Sequence, residues 1–140
     1  MAQYKIHHAC GHSETQQLYG KTDARHRTIA FEEGRICRDC YNSQQAQNAE
    51  SAGRKALKGS EKQIAWANGI REKAIARIDA DAKSHVRDGV SSETLADIES
   101  CRQRAHVIAE SEIEARWWID NRDRSLFMMA AREIAAERAS

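Results

Sequence analysis

The chain has 140 residues, 31% of them charged and only 6% aromatic, which suits a modest helix-rich domain or a small metal-stapled module with a helical body. Its formal net charge of +1 is too small to make the whole chain a nucleic-acid binder. No apolar run approaches the ~20 residues of a membrane span, and no apolar signal-peptide core opens the chain. The expectation is a cytoplasmic protein with reduced thiols and no membrane partner.

Tyr4 to His8 has short β character and leads into Cys10-Gly11-His12. Thr15 to Tyr19 reads as the returning strand, ended by Gly20. Asp23 to Glu33 reads as a helix with Thr22 or Asp23 as N-cap, an apolar patch at Ile29, Ala30 and Phe31, and Gly34 as its stop. Cys37-Arg38-Asp39-Cys40 is a second turn, with Ile36 and Tyr41 placed to pack over it. Tyr41 to Ala49 is rich in Asn, Ser and Gln and reads as a weak helix or a linker.

Ser60-Glu61-Lys62-Gln63 is a capping-box pattern. The helix it opens carries Ile64, Ala67, Ile70, Ala74 and Ile78 at steps of three and four, an amphipathic stripe that fades near Asp81 to Asp88. After Gly89, Ser91 or Ser92 caps a helix with Leu95, Ile98, Cys101 or Arg102, Ala105 and Ile108 on one face. Ser111 to Glu114 repeats the capping-box pattern, placing a break near Glu110. Trp117, Trp118 and Ile119 follow, then a junction at Asp120 to Asp123 capped by Asn or Asp. A last helix to Arg138 presents Leu126, Met129, Ala130 and Ile134. The absence of proline leaves such helices unbroken.

The two turns carry the chemistry. Zinc takes four tetrahedral N/S ligands, and a Cys-x2-Cys turn sets two thiolates on one side of the ion. Cys10 and His12 suit the other side. Spacing alone leaves three competitors: His7 with Cys10, His8 with Cys10, and a three-ligand site open to water. His12-Ser13-Glu14 followed by Cys37-x-x-Cys40 approaches the zinc-deaminase pattern but lacks its Pro before the second cysteine pair. Gly20-Lys21-Thr22 is not a phosphate loop, because Thr15 stands where that motif has its first glycine. A helix start beside Lys21, Arg25 and Arg27 can still meet a phosphate or carboxylate. Between Ser51 and Arg77 seven basic residues (Arg54, Lys55, Lys58, Lys62, Arg71, Lys73, Arg77) face two acidic ones, a local net charge of +5 with Trp66 among them. Such a stretch can follow a nucleic-acid backbone. Trp66 and one of the adjacent pair Trp117 and Trp118 are candidate interface anchors, with Trp118 taken as the edge residue.

Cys10-Gly11-His12, Leu18-Tyr19-Gly20-Lys21-Thr22, Arg25, Arg27, Ile29 and Cys37-x-x-Cys40-Tyr41 together resemble a zinc-ribbon module of small bacterial proteins, often from phages, plasmids and integrated elements. In those relatives the second turn reads Cys-Pro-x-Cys-Tyr, and here Arg38 replaces the proline. Gly59 to Ala67 and Trp117 to Arg122 resemble blocks that accompany the ribbon. The resemblance implies a structural Zn2+ held by Cys10, His12, Cys37 and Cys40, a helical body and a mobile-element setting.

The expected fold is α+β, mainly α, with a zinc ribbon of a short β-hairpin plus helix followed by a three- or four-helix bundle. Residues 1–45 form the ribbon, 46–59 a linker or weak helix, and 60–140 the bundle. The expected function is a non-enzymatic, zinc-stabilised adaptor or inhibitor that docks on a bacterial protein complex handling nucleic acid, without a small-molecule substrate. The mobile-element setting extends this to an anti-CRISPR-like inhibitor. Its docking residues are Lys21, Arg25, Arg54, Lys55, Lys58, Lys62, Trp66, Arg71 and Trp118. Direct DNA or RNA binding through residues 54–77 is the alternative, and a zinc hydrolase or deaminase a third.

Overall fold

The computed structural model describes residues 2–140. Its elements are β1 (Ala2–His7), β2 (Ser13–Leu18), α1 (Thr22–Glu33), α2 (Arg38–Ser51), α3 (Glu61–Ser84), α4 (Ser92–Ser111), α5 (Ala115–Asp120) and α6 (Leu126–Ala139). The chain divides into two compact units, Met1–Gln44 and Gln45–Ser140, with the division inside α2.

In the first unit β1 and β2 pair antiparallel, in a register that sets Ala2 opposite Leu18 and His7 opposite Ser13. Side chains alternate along a strand, and here Tyr4, Ile6 and Leu18 turn inward while Gln3, Lys5 and His7 face out. The turn between the strands is tight. The amide of His8 donates to His12 O at 2.8 Å, that of Gly11 to His8 O at 3.0 Å, and Gly11 has φ +90°. Only glycine takes that conformation without strain.

Helix α1 packs on β1. Lys21, rather than Thr22 or Asp23, is its N-cap, and its side chain makes no capping bond. The expected apolar patch is also corrected: Phe31 is 65% exposed, under the guanidinium of Arg35, while the neighbouring Glu32 is buried. Gly34 ends the helix as expected, its amide donating to Ala30 O and Phe31 O. Of the stretch read as weak helix or linker, the part up to Ser51 belongs to α2, a helix of 14 residues, and the rest is the non-helical connection to α3.

The second unit is a helical bundle in which α3 packs on α4, α5 and α6, and α4 on α6. Ser60 and Gln63 form the capping box in both directions, at 3.2 and 3.1 Å. The predicted stripe of α3 faces the core: Ala67 and Ile78 are buried, with Ile64, Ile70 and Ala74 packed against it. Ala105, Ile108 and Ala109 of α4, Ala115 and Trp118 of α5, and Leu126 and Ala130 of α6 complete that core. Ser91 caps α4 and Ser125 caps α6, each accepting from the amide three residues on.

Three expectations fail here. Leu95, in the first turn of α4, is 42% exposed. Cys101 is only half-buried and lies outside the core cluster. Ser111 closes α4 instead of capping α5, its hydroxyl donating back to Val107 O and Ile108 O, and Glu114 is the uncapped start of α5. Residues 112–114 are needed elsewhere. Lys58 N donates to Ile113 O at 2.7 Å and Ala115 N to Lys58 O at 2.8 Å, a single parallel bridge. That bridge and the buried Leu57 hold the segment before α3 against the bundle.

Candidate metal centre

The hairpin turn and the first turn of α2 bring Cys10, His12, Cys37 and Cys40 together, with one ligand atom from each lying within 4.8 Å of the others. The imidazole contributes Nδ1, which stands 3.4 Å from Cys10 Sγ, 3.7 Å from Cys37 Sγ and 3.2 Å from Cys40 Sγ. With metal–sulfur bonds of about 2.3 Å and a metal–nitrogen bond of about 2.0–2.1 Å, the edge of a regular tetrahedron is about 3.6 Å. The observed edges bracket that length. The four donors fit a tetrahedral metal ion.

Backbone amides support the sulfurs. Cys37 N donates to Cys10 Sγ at 3.3 Å and Cys40 N to Cys37 Sγ at 3.5 Å. Ala9 N donates to Arg35 O at 3.0 Å, which joins the hairpin turn to the chain entering the second turn. Arg38 is the first residue of α2. Proline is favoured there because the amide it lacks has no partner within the helix.

The thiols titrate unequally. The amides of Cys37 and His12 point at Cys10 and hold its thiol down at about 6. The Cys40 thiol is pushed up to about 11 by its hydrogen bond to Cys37, by burial and by the nearby Cys10. One thiolate forms readily and makes the next costly. A dication among the sulfurs reverses that cost, since metal ligation is deprotonation.

Neither competing histidine joins this cluster. His7 is exposed on the outer face of β1. His8 is buried, with Nδ1 2.9 Å from Glu32 O and Nε2 3.2 Å from the Glu14 carboxylate. Burial pushes its pKa down, but the Glu32 carbonyl and Glu14 together outweigh that and leave it raised. Glu14, the residue in the deaminase-like position, is turned toward His8 and Gln16.

The candidate docking residues scatter. Lys21 is exposed at the start of α1, and Arg25 is half-buried, bonded to Thr22 Oγ1 at 3.0 Å and lying 5.9 Å from the Tyr4 ring centroid. Arg71 is corrected to a structural residue. It is 3% exposed, its guanidinium donating to Lys55 O at 2.7 Å and Asn68 Oδ1 at 3.1 Å, and burial lowers its pKa. Arg54 pairs with Glu72 at 3.0 Å and Arg77 with Asp81 at 3.3 Å. Lys55, Lys58, Lys62 and Lys73 are exposed and in no ion pair among the described residues. Trp118 is also corrected: it is 2% exposed, set edge-on to Trp117, its indole N–H donating to Glu112 O at 3.0 Å. Trp66 is the exposed tryptophan, at 49%, with the Arg122 guanidinium 5.4 Å from its ring centroid.

Sequence reasoning missed the Trp66–Arg122 pair and the cluster of His8, Glu14 and Glu32. Alternation offered a signal for the latter, since the strand that turns Tyr4 and Ile6 inward must turn His8 inward as well. No helix among the described residues is long and apolar enough to cross a membrane. Comparison with family models, with curated proteins and with solved structures finds no match for this chain.

Proposed function

We propose that the chain is a zinc-stabilised, non-enzymatic binding protein whose helical unit docks on a protein partner. The observation that carries the reading is the closed donor set, three sulfurs and one imidazole nitrogen at tetrahedral separations. Structural zinc sites fill all four positions, whereas catalytic ones keep one for water. Glu14, in the deaminase-like position two residues after His12, is turned toward His8 and Gln16. Zinc here replaces a hydrophobic core, for among its described residues the first unit buries only the apolar side chains of Ile6 and Leu18.

The docking surface centres on Trp66, a broad exposed ring backed by Arg122. Tryptophan and arginine dominate the energetics of protein interfaces. The resemblance to mobile-element proteins supports a bacterial complex that handles nucleic acid as the partner, with inhibition of a host defence complex as the outcome. Capture from a bacterial lysate with the tagged protein, with and without nuclease, tests this. A stoichiometric protein partner that survives nuclease and is lost with Trp66→Ala is the expected result. Proteins that depart on nuclease treatment contradict it.

Direct nucleic-acid binding is the second reading, supported by the four exposed lysines of residues 55–73, in no ion pair among the described residues and in the same stretch of chain as the exposed Trp66. It requires affinity that falls steeply with salt, losing about one unit of log–log slope per phosphate contact removed. Replacing Lys55, Lys58, Lys62 and Lys73 by alanine then flattens the salt dependence. A protein-docking surface centred on Trp66 leaves it unchanged.

A further inference from the structure

A second group of donors lies where β1, β2 and the end of α1 meet. His8 is only 6% exposed, and its Nδ1 is 2.9 Å from the backbone carbonyl oxygen of Glu32. A carbonyl can only accept, so Nδ1 carries the proton and the neutral ring presents its lone pair at Nε2. That nitrogen is buried and makes no hydrogen bond. It stands 3.2 Å from a Glu14 oxygen, within ion-pair range but off the direction of a hydrogen bond, and a Glu32 oxygen completes a group whose members all lie within 4.8 Å. A nitrogen lone pair facing two carboxylates is repulsive unless a cation lies among them.

The surroundings hold these donors in place. Arg35 donates to both oxygens of Glu32, at 3.0 and 2.6 Å, and the Gln16 amide donates to Glu14. Each carboxylate oxygen keeps a second lone pair free. A histidine whose far nitrogen donates to a backbone carbonyl, beside carboxylates that are themselves hydrogen-bonded, is the usual environment of a metal-ligating imidazole.

We propose that His8 Nε2, Glu14 and Glu32 form a second divalent-cation site, separate from the thiolate cluster. One imidazole and two carboxylates suit a zinc-class ion rather than magnesium or calcium, which prefer all-oxygen sites. The ion joins the end of β1, the start of β2 and the end of α1. The competing occupant is a proton, which would make His8 an imidazolium paired with Glu14.

Equilibrium dialysis of the full chain against Zn2+, and separately Co2+, tests the site. The expected result is two equivalents bound. The thiolate equivalent brings intense sulfur-to-cobalt charge-transfer absorption, and the second adds only weak ligand-field bands. Glu14 is 46% exposed at its side chain, so Glu14→Gln is expected to fold; it weakens the second equivalent by roughly tenfold or more and leaves the charge-transfer band intact. A wild-type chain that saturates at one equivalent with full charge transfer overturns the proposal. So does a second equivalent that persists undiminished in both Glu14→Gln and Glu32→Gln. A loss of charge transfer with metal still bound tells against the thiolate site instead.

Discussion

The amide of Cys37 donates to Cys10 Sγ at 3.3 Å across 27 residues of chain, so the second turn closes directly on the ligand of the first. The hairpin, α1 and the start of α2 are thereby arranged around sulfur rather than around a hydrophobic core. Substituting the residue after Cys37 tests how well that turn is built. Arg38→Pro places a proline at the first position of α2, where no helix hydrogen bond is lost. It is expected to keep metal affinity and to stabilise the first unit by about 0.4–1 kcal/mol. Competition with a chelator and thermal melting report both quantities.

The two kinds of tryptophan separate stability from binding. Trp118→Ala removes a fully packed side chain and the acceptor's partner at Glu112, and is expected to cost about 3–5 kcal/mol in denaturant unfolding of the helical unit. Trp66→Ala loses a half-exposed ring and a cation–π contact, for about 0.5–1 kcal/mol, and should abolish partner capture with the fold intact.

Gly59 is a close approach of backbone to core. Its φ is +149°, and a Cβ added there would meet Ala115 Cβ at 3.1 Å and Gln63 Oε1 at 3.0 Å. Gly59→Ala therefore strains the backbone and pushes on both the capping box and the start of α5. The expected cost is about 1–3 kcal/mol, seen as a lower unfolding midpoint with an unchanged m-value. Gly53→Ala, which also has positive φ but open space around it, should cost less.

Arg102 joins α3 to α4 by donating to Glu99 and Asp79. Its hydrogen bonds, with that from Gln103, hold the Glu99 carboxyl down at about 2, below its ordinary 4.5. A carboxylate depressed in the folded state adds stability above its unfolded pKa and loses it as pH falls through the folded one. Glu99→Gln should thus destabilise at pH 7, with the difference shrinking as pH falls from about 4.5 to about 2 and vanishing below that. The pair is at the surface, so the neutral-pH effect is small and shrinks in salt. Thermal melts of both proteins across that range, at two salt concentrations, check it.

What was legible in the sequence were features whose cause is local. The Ser60–Gln63 box, the Ile64 to Ile78 stripe and the two cysteine turns each carry their own geometry, and all form as read. Features decided by distant partners were not legible. Ser111 to Glu114 has the letters of a capping box, but its backbone is claimed by Lys58, more than fifty residues away. Arg71 counts as a surface charge until the Lys55 carbonyl is seen beside it. Trp117 and Trp118 are equivalent in the sequence, and only the packing of α3 on α5 decides that Trp118 goes inside. Phe31 and Glu32 exchange their expected places because Arg35 covers the ring and binds the carboxylate, with His8 on the Glu32 carbonyl.

Metal dependence of the first unit is the central claim, and amide hydrogen exchange on the metal-stripped and Zn2+-reloaded chain tests it most directly. The account predicts that β1, β2 and α1 exchange freely without metal and become protected with the first equivalent. The core helices α3, α4 and α6 should stay protected throughout, and Cys40→Ser should lose the rescue. Equal protection of the first unit with and without metal would contradict it.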